Sequence, residues 1–263
     1  VKTLTRFRSR NTHLKTSFCI SIIVLVAVSF LPFNTQSSNA GIANGGTAIY
    51  QLGQSTINDA LDSEYTGYGQ NDGADLYGFN GPYAVVLDAI NHRLFVADTN
   101  NSRVLMFNLN ASNALIDRAP DAVLGQANFT SYIPPTTPNA NSMNGPQGLT
   151  YDTTNNRLYV SDTANNRILI FNVGTGAITN GVAANFVLGQ STFTSNTAAT
   201  TQSIMRGPSQ LTFDNTNNRL FVSDSTNNRV LIFDFTLNAL TNGMNAHYEL
   251  GQPSGTAFTT SAV

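Results

Sequence analysis

Residues 145–172 read GPQGLTYDTTNNRLYVSDTANNRILIFN, and two other segments repeat the pattern without a gap. They are GPYAVVLDAINHRLFVADTNNSRVLMFN at 81–108 and GPSQLTFDNTNNRLFVSDSTNNRVLIFD at 207–234. The Gly-Pro pairs open at 81, 145 and 207, so the period is 64 and then 62 residues. A further signature, Leu-Gly-Gln, recurs at 52–54, 124–126, 188–190 and 250–252. A fixed period of this kind marks a repeat protein, in which each copy is one supersecondary unit stacked on the next.

Each copy reads as four short strands. The first is YAVVLD, GLTYD or QLTFD; the second is RLFVAD, RLYVSD or RLFVSD; the third is RVLMFN, RILIFN or RVLIFD. The fourth ends at Leu-Gly-Gln. These runs are rich in β-branched and aromatic residues and are bounded by Asn, Asp, Gly and Thr. The connectors TTNN and NTNN fit tight turns, because Asn tolerates the left-handed backbone such turns demand. The third strand does not alternate polar with apolar residues, as a strand wet on one face would. Val104 to Phe107, Ile168 to Phe171 and Val230 to Phe233 are continuously apolar, so both faces need cover. A sheet stacked between two similar sheets supplies it. A parallel β-helix is the rival, but turns this tight favour antiparallel meanders.

At this point the residues resemble a family. The pattern GP-x-GL-x-(Y/F)D, then RL-(Y/F)-VSDT-x-NNR, then an apolar strand is similar to the NHL repeat, a propeller-forming unit. The resemblance covers 81–108, 145–172 and 207–234. It implies an all-β fold, a β-propeller of four-stranded antiparallel blades. Blades usually run ~40–45 residues, and these are longer because of the connectors after strands three and four. The segment before Leu52 reads as a fourth strand without its first three. The expectation is therefore an incomplete propeller of three blades plus one orphan N-terminal strand, the N-terminal part of a longer product. Self-association through the exposed end blades is the alternative.

The first forty residues read differently. Lys2, Arg6, Arg8, Arg10 and Lys15 precede an apolar run, FCISIIVLVAVSFL, and small residues then lead to Ala40 and Gly41. This order predicts a signal-peptide helix in 1–40, cleaved between Ala40 and Gly41, with the propeller spanning 41–263. The chain is then secreted, periplasmic or on the cell surface; if cleavage fails, the leader becomes an anchor. Five of the 13 basic residues leave with the leader and none of the 15 acids does, so the remainder carries a formal charge of −7 and no Lys. That balance argues against nucleic acid or an anionic membrane as partner. The single Cys lies in the leader, leaving no disulfide in 41–263.

The most conspicuous candidate residues are the pairs Asp98/Arg103, Asp162/Arg167 and Asp224/Arg229, each spanning the turn between strands two and three. They read as turn-fixing ion pairs, because a ligand site normally breaks the symmetry of a repeat. Asp88, Asp152 and Asp214 recur likewise, as do Arg93, Arg157 and Arg219. His92 stands where its sister copies carry Asn156 and Asn218 and reads as a surface variation. The connector 55–80 is acidic and aromatic, and its Asn71-Asp72-Gly73-Ala74-Asp75 lacks the terminal Glu of an EF-hand loop. The sequons at Asn100, Asn110 and Asn128 matter only in a glycosylating host. No catalytic residue, metal ligand set or cofactor site is expected.

The leading functional expectation is a non-enzymatic binding or scaffold module. Its contact surface is a rim of loops, formed by 98–103, 162–167 and 224–229 with connectors 55–80, 127–144 and 191–206, meeting a protein or a glycan. The resemblance also implies an alternative, since some NHL-like propellers are metal-dependent lyases or hydrolases. The first strands here carry no His, so such active-site residues would lie in other blades. Ubiquitin-ligase, sensor-kinase and RNA-binding roles of the family lack their zinc ligands, their kinase and their positive charge here.

Overall fold

The computed structural model describes residues 52, 78–174, 176, 178–253 and 258–259. The leader with its Ala40–Gly41 site, and the orphan strand apart from Leu52, lie outside the described residues, as does the Asn71–Asp75 loop.

Among the described residues, twelve strands form three sheets with one topology. The first blade holds β1 (Pro82–Asp88), β2 (Arg93–Asp98), β3 (Arg103–Asn108) and β4 (Ala122–Leu124). The second holds β5 (Pro146–Asp152), β6 (Arg157–Asp162), β7 (Arg167–Asn172) and β8 (Phe186–Leu188). The third holds β9 (Pro208–Asp214), β10 (Arg219–Asp224), β11 (Arg229–Asp234) and β12 (Tyr248–Leu250). Each sheet is a simple antiparallel meander in sequence order. The register repeats too: Asp98 faces Arg103, Asp162 faces Arg167 and Asp224 faces Arg229 across strands two and three.

The turns follow from residue type. His92, Asn156 and Asn218 hold φ near the left-handed value, at 54°, 52° and 53°. The link between strands two and three is a single 3₁₀ turn, Thr99–Asn101 in the first blade, closed by a left-handed Ser102; Asn166 and Asn228 close the sister turns. Short polar side chains visit that region at low cost, which is why His92 keeps the turn its sisters make with Asn.

The third strands decide how blades stack. On β7, Leu169 and Phe171 enter one apolar cluster with Val104, Met106 and Phe95 of the first blade. Ile168 and Ile170, on the other face, enter a second with Leu211, Leu220 and Phe233 of the third. One strand thus serves two cores, and its lack of alternation is the sequence mark of that double burial. On the opposite side of the first blade, Val96, Leu105, Phe107 and Val123 pack with Leu52 and Phe79. The first strands of neighbouring blades run close together, β1 beside β5 and β5 beside β9. They meet at Gly148, where a Cβ would collide with the Ser209 carbonyl oxygen and lie 3.0 Å from Gln210 Cα. At the ends of the stack, Tyr83, Val85 and Leu87 on β1 and Tyr248 and Leu250 on β12 are exposed.

Candidate functional site

Asp98, Asp162 and Asp224 close the second strands and are fully buried. In each, Oδ2 accepts from the Nε–H of its arginine, at 2.7 Å for Arg103 and Arg167 and 2.8 Å for Arg229. The same oxygen accepts from Asn101, Asn165 or Asn227. Oδ1 accepts the backbone N–H of the residue just before the Gly-Pro pair, at 2.7 Å from each of Asn80, Asn144 and Arg206.

The guanidinium groups then reach two connectors at once. Nη1 donates to the carbonyls of Phe129, Phe193 and Phe258 on the segments leaving each blade. Nη2 donates to carbonyls on the segments entering it: Gly78 for Arg103, Asn139 and Ser142 for Arg167, Thr201 and Ile204 for Arg229. The planar five-donor fork of Arg makes this possible, where Lys offers a point charge. A buried pair is sustained only when its remaining donors and acceptors are also filled, as they are here. Burial pushes the Asp162 carboxyl up, against the pull of Arg167 and the Asn144 and Asn165 hydrogen bonds. These bonds join the turns 98–103, 162–167 and 224–229 to 127–144 and 191–206 in one rim.

Asp88, Asp152 and Asp214 each accept from the N–H and Nδ2 of the asparagine three residues on, but the other recurrent arginines do not share equivalent partners. Arg93 donates to Asp88 and, across the blade boundary, to the Val173 carbonyl at 2.6 Å. Arg157 lies over the Phe186 ring, and Arg219 pairs with Asp234 at 2.7 Å. Burial raises the Asp88 carboxyl, but the Arg93 and Asn91 hydrogen bonds outweigh it and hold the group below its ordinary value. Burial, with Asp88 beside it, pushes the neighbouring Tyr151 phenol up to about 12. His92 Nδ1 sits 2.7 Å from Asn113 Oδ1.

A second recurrent device is absent from the sequence reading. Asn180 Oδ1 accepts the Val123 N–H at 3.0 Å, and Gly181 N–H donates to the Val123 carbonyl at 2.9 Å. Asn242 and Gly243 treat Val187 in the same way. The second and third blades thus each cap the outer edge strand of the blade before them, covering an edge that otherwise invites foreign pairing. Gly181 stands at φ 66°, and a Cβ there would press on Ala127 Cα at 3.3 Å. Thr-Asn-Gly at 179–181 and again at 241–243 was the signal.

Beside the first latch lies a cleft of about 330 Å³ whose lining includes Gln126, Pro135, Asn139, Asn141, Ser142 and Asn180. Among the described residues, no charged side chain lines it. Among the described residues, no group of three or more His, Cys, Asp or Glu is placed to hold a metal ion.

The NHL repeat family model matches residues 143–171, the second copy. A search of the curated proteins finds no match. Among solved structures, a candidate 6-phosphogluconolactonase from Bacteroides uniformis ATCC 8492 aligns at 14% identity and a TM-score of 0.41, over 65% of this chain and 42% of that one. A functionally unknown protein from Desulfotomaculum acetoxidans DSM 771 aligns at 13% identity and a TM-score of 0.43, over the same shares, 65% and 42%. The chain thus spans less than half the length of either structure. The matched repeat at 143–171, the two gapless copies of its pattern and the three four-stranded sheets of one topology support an NHL-repeat propeller architecture.

Proposed function

We propose that the chain is an exported, non-enzymatic binding module that presents its rim to a protein or glycan. The observation that carries this reading is the anchoring of long exposed connectors by buried arginines through their backbone carbonyls. Loops fixed in advance lose little entropy when a partner arrives, so such a rim binds at low cost. Its chemistry supports the same reading. Connector 127–144 holds no charged residue, and 191–206 holds only Arg206. Tyr132 and Ile133 stand out from the first connector, 45% and 72% exposed. The test is a panel of immobilised peptides and glycans probed with the chain and with Tyr132→Ser/Ile133→Ser. Loss of at least one specific interaction in the variant supports the rim; a binding profile identical to the parent's contradicts it. Export rests on the leader in 1–40, and N-terminal sequencing of the product recovered outside the cytoplasm is expected to begin at Gly41.

A further inference from the structure

We propose that the cleft between the first two blades binds a neutral saccharide; this names the ligand class of the rim reading above and rests on it. Four carboxamides set the chemistry, each anchored through one atom. Asn139 Oδ1 accepts the Asn141 N–H at 2.8 Å, and Asn180 Oδ1 accepts the Val123 N–H at 3.0 Å. Their Nδ2 donors are left over for a ligand. Asn141 Nδ2 donates to the Gly181 carbonyl at 2.5 Å, and Gln126 Nε2 to the Ser102 carbonyl at 3.2 Å. Their side-chain oxygens are left over as acceptors. The anchoring bonds also fix which amide atom is nitrogen and which is oxygen, and so the polarity a ligand meets.

Two donors and two acceptors around an uncharged cleft match a hydroxyl-bearing ligand, because each sugar hydroxyl both gives and takes a hydrogen bond. An anion or a cation finds no counter-charge in the lining. The volume of about 330 Å³ lies at the small end of ligand clefts, roughly 300–1,000 Å³. Pro135 adds an apolar wall to the lining.

The second junction shows that the cleft is not a by-product of the repeat. Arg229 grips the carbonyls of Thr201 and Ile204 as Arg167 grips those of Asn139 and Ser142, which aligns the two connectors residue by residue. In that register Thr201, Ser203 and Ile204 replace Asn139, Asn141 and Ser142. Gln190, the sister of Gln126, has both side-chain atoms engaged: Nε2 by the Asn166 and Thr197 carbonyls, Oε1 by the Thr197 N–H. Gln190 and Asn242 repeat Gln126 and Asn180 as part of the scaffold, but Asn139 and Asn141 have no carboxamide counterpart at the second junction, and the free Gln126 oxygen has none either; a ligand site differs from its structural frame in that way.

The experiment is an amide-detected NMR titration of the ¹⁵N-labelled chain with neutral hexose and N-acetylhexosamine oligosaccharides, with a uronic-acid oligomer as the charged comparator. Saturable shifts are expected at Asn139, Asn141 and Asn180 with a neutral sugar. Asn139→Asp keeps the oxygen that accepts from Asn141 and turns the outward donor into an anion. It is expected to weaken binding about tenfold or more, one lost hydrogen bond being enough for that factor. Leu237→Ser, at an exposed position outside the rim, leaves affinity unchanged, and unshifted spectra away from the cleft show that both variants fold. Shifts confined to other parts of the rim, or Asn139→Asp binding like the parent, overturn the cleft while leaving the rim reading standing. No shift with any neutral sugar overturns the ligand class, and the Tyr132/Ile133 variant then judges the rim by itself.

Discussion

Asn180 accepts the backbone proton of Val123 at 3.0 Å across 57 residues of sequence, so the second blade seals the outer edge of the first. Asn180→Ala leaves Val123 N–H without its acceptor at a half-covered edge. A loss of about 1–2 kcal/mol is expected, the cost of stranding a polar group. Urea denaturation of the variant checks it; an unchanged midpoint means the latch contributes no stability.

Arg167→Leu is expected to be far more damaging. It leaves Asp162 buried without its counter-charge, and breaking such a pair costs about 3–5 kcal/mol. It also frees the Asn139, Ser142 and Phe193 carbonyls. Denaturation gives the first effect, and faster proteolysis within 127–144 and 191–206 gives the second. A variant as stable and as protease-resistant as the parent would remove the Asp–Arg lock from the explanation.

Gly148→Ala adds a methyl group where two first strands nearly touch, and both obstacles are backbone, Ser209 O and Gln210 Cα. Overpacking of this kind costs about 1–3 kcal/mol. Calorimetry of Gly148→Ala beside Gly174→Ala, where a Cβ meets nothing within 4 Å, separates the collision from glycine's general effect. Equal shifts in the two variants would mean that blades two and three do not approach so closely.

Acid should loosen the third blade through Asp234. The Thr236 hydroxyl, with Arg219 adding to it against burial, holds its carboxyl down at about 2 rather than 3.8. A folded value below the unfolded one contributes stability that is present above about pH 4 and lost as the pH falls towards 2. Asp88, also held low, adds to the same limb. Melting temperature followed from pH 5 to about 2 is expected to fall less steeply for Asp234→Asn than for the parent, and parallel curves would refute the linkage.

Much of this was legible in the sequence because each feature repeats. The unbroken apolar runs of the third strands require cover on two faces, and Ile168 and Leu169 do enter different cores. Asn at the hairpin corners foretold left-handed turns. What stayed hidden depends on the neighbouring blade. Arg93, Arg157 and Arg219 look equivalent in sequence, yet their partners differ: Asp88 with Val173, the Phe186 ring, and Asp234. Thr-Asn-Gly at 179–181 reads as an ordinary turn until Val123 is placed against it. The cleft was invisible for a related reason. Connectors 127–144 and 191–206 differ in length, and only the arginine-to-carbonyl bonds reveal which residues correspond.

The most direct measurement is native-state hydrogen exchange at the amides of Asn80, Asn144 and Arg206. All three belong to connectors, where exchange is ordinarily fast, yet each donates to a fully buried aspartate at 2.7 Å. Protection close to that of the third-strand amides is expected in the parent, and its loss at Asn144 alone in Arg167→Leu. Exchange at all three positions as fast as in an open loop would contradict a rim held in place by buried ion pairs.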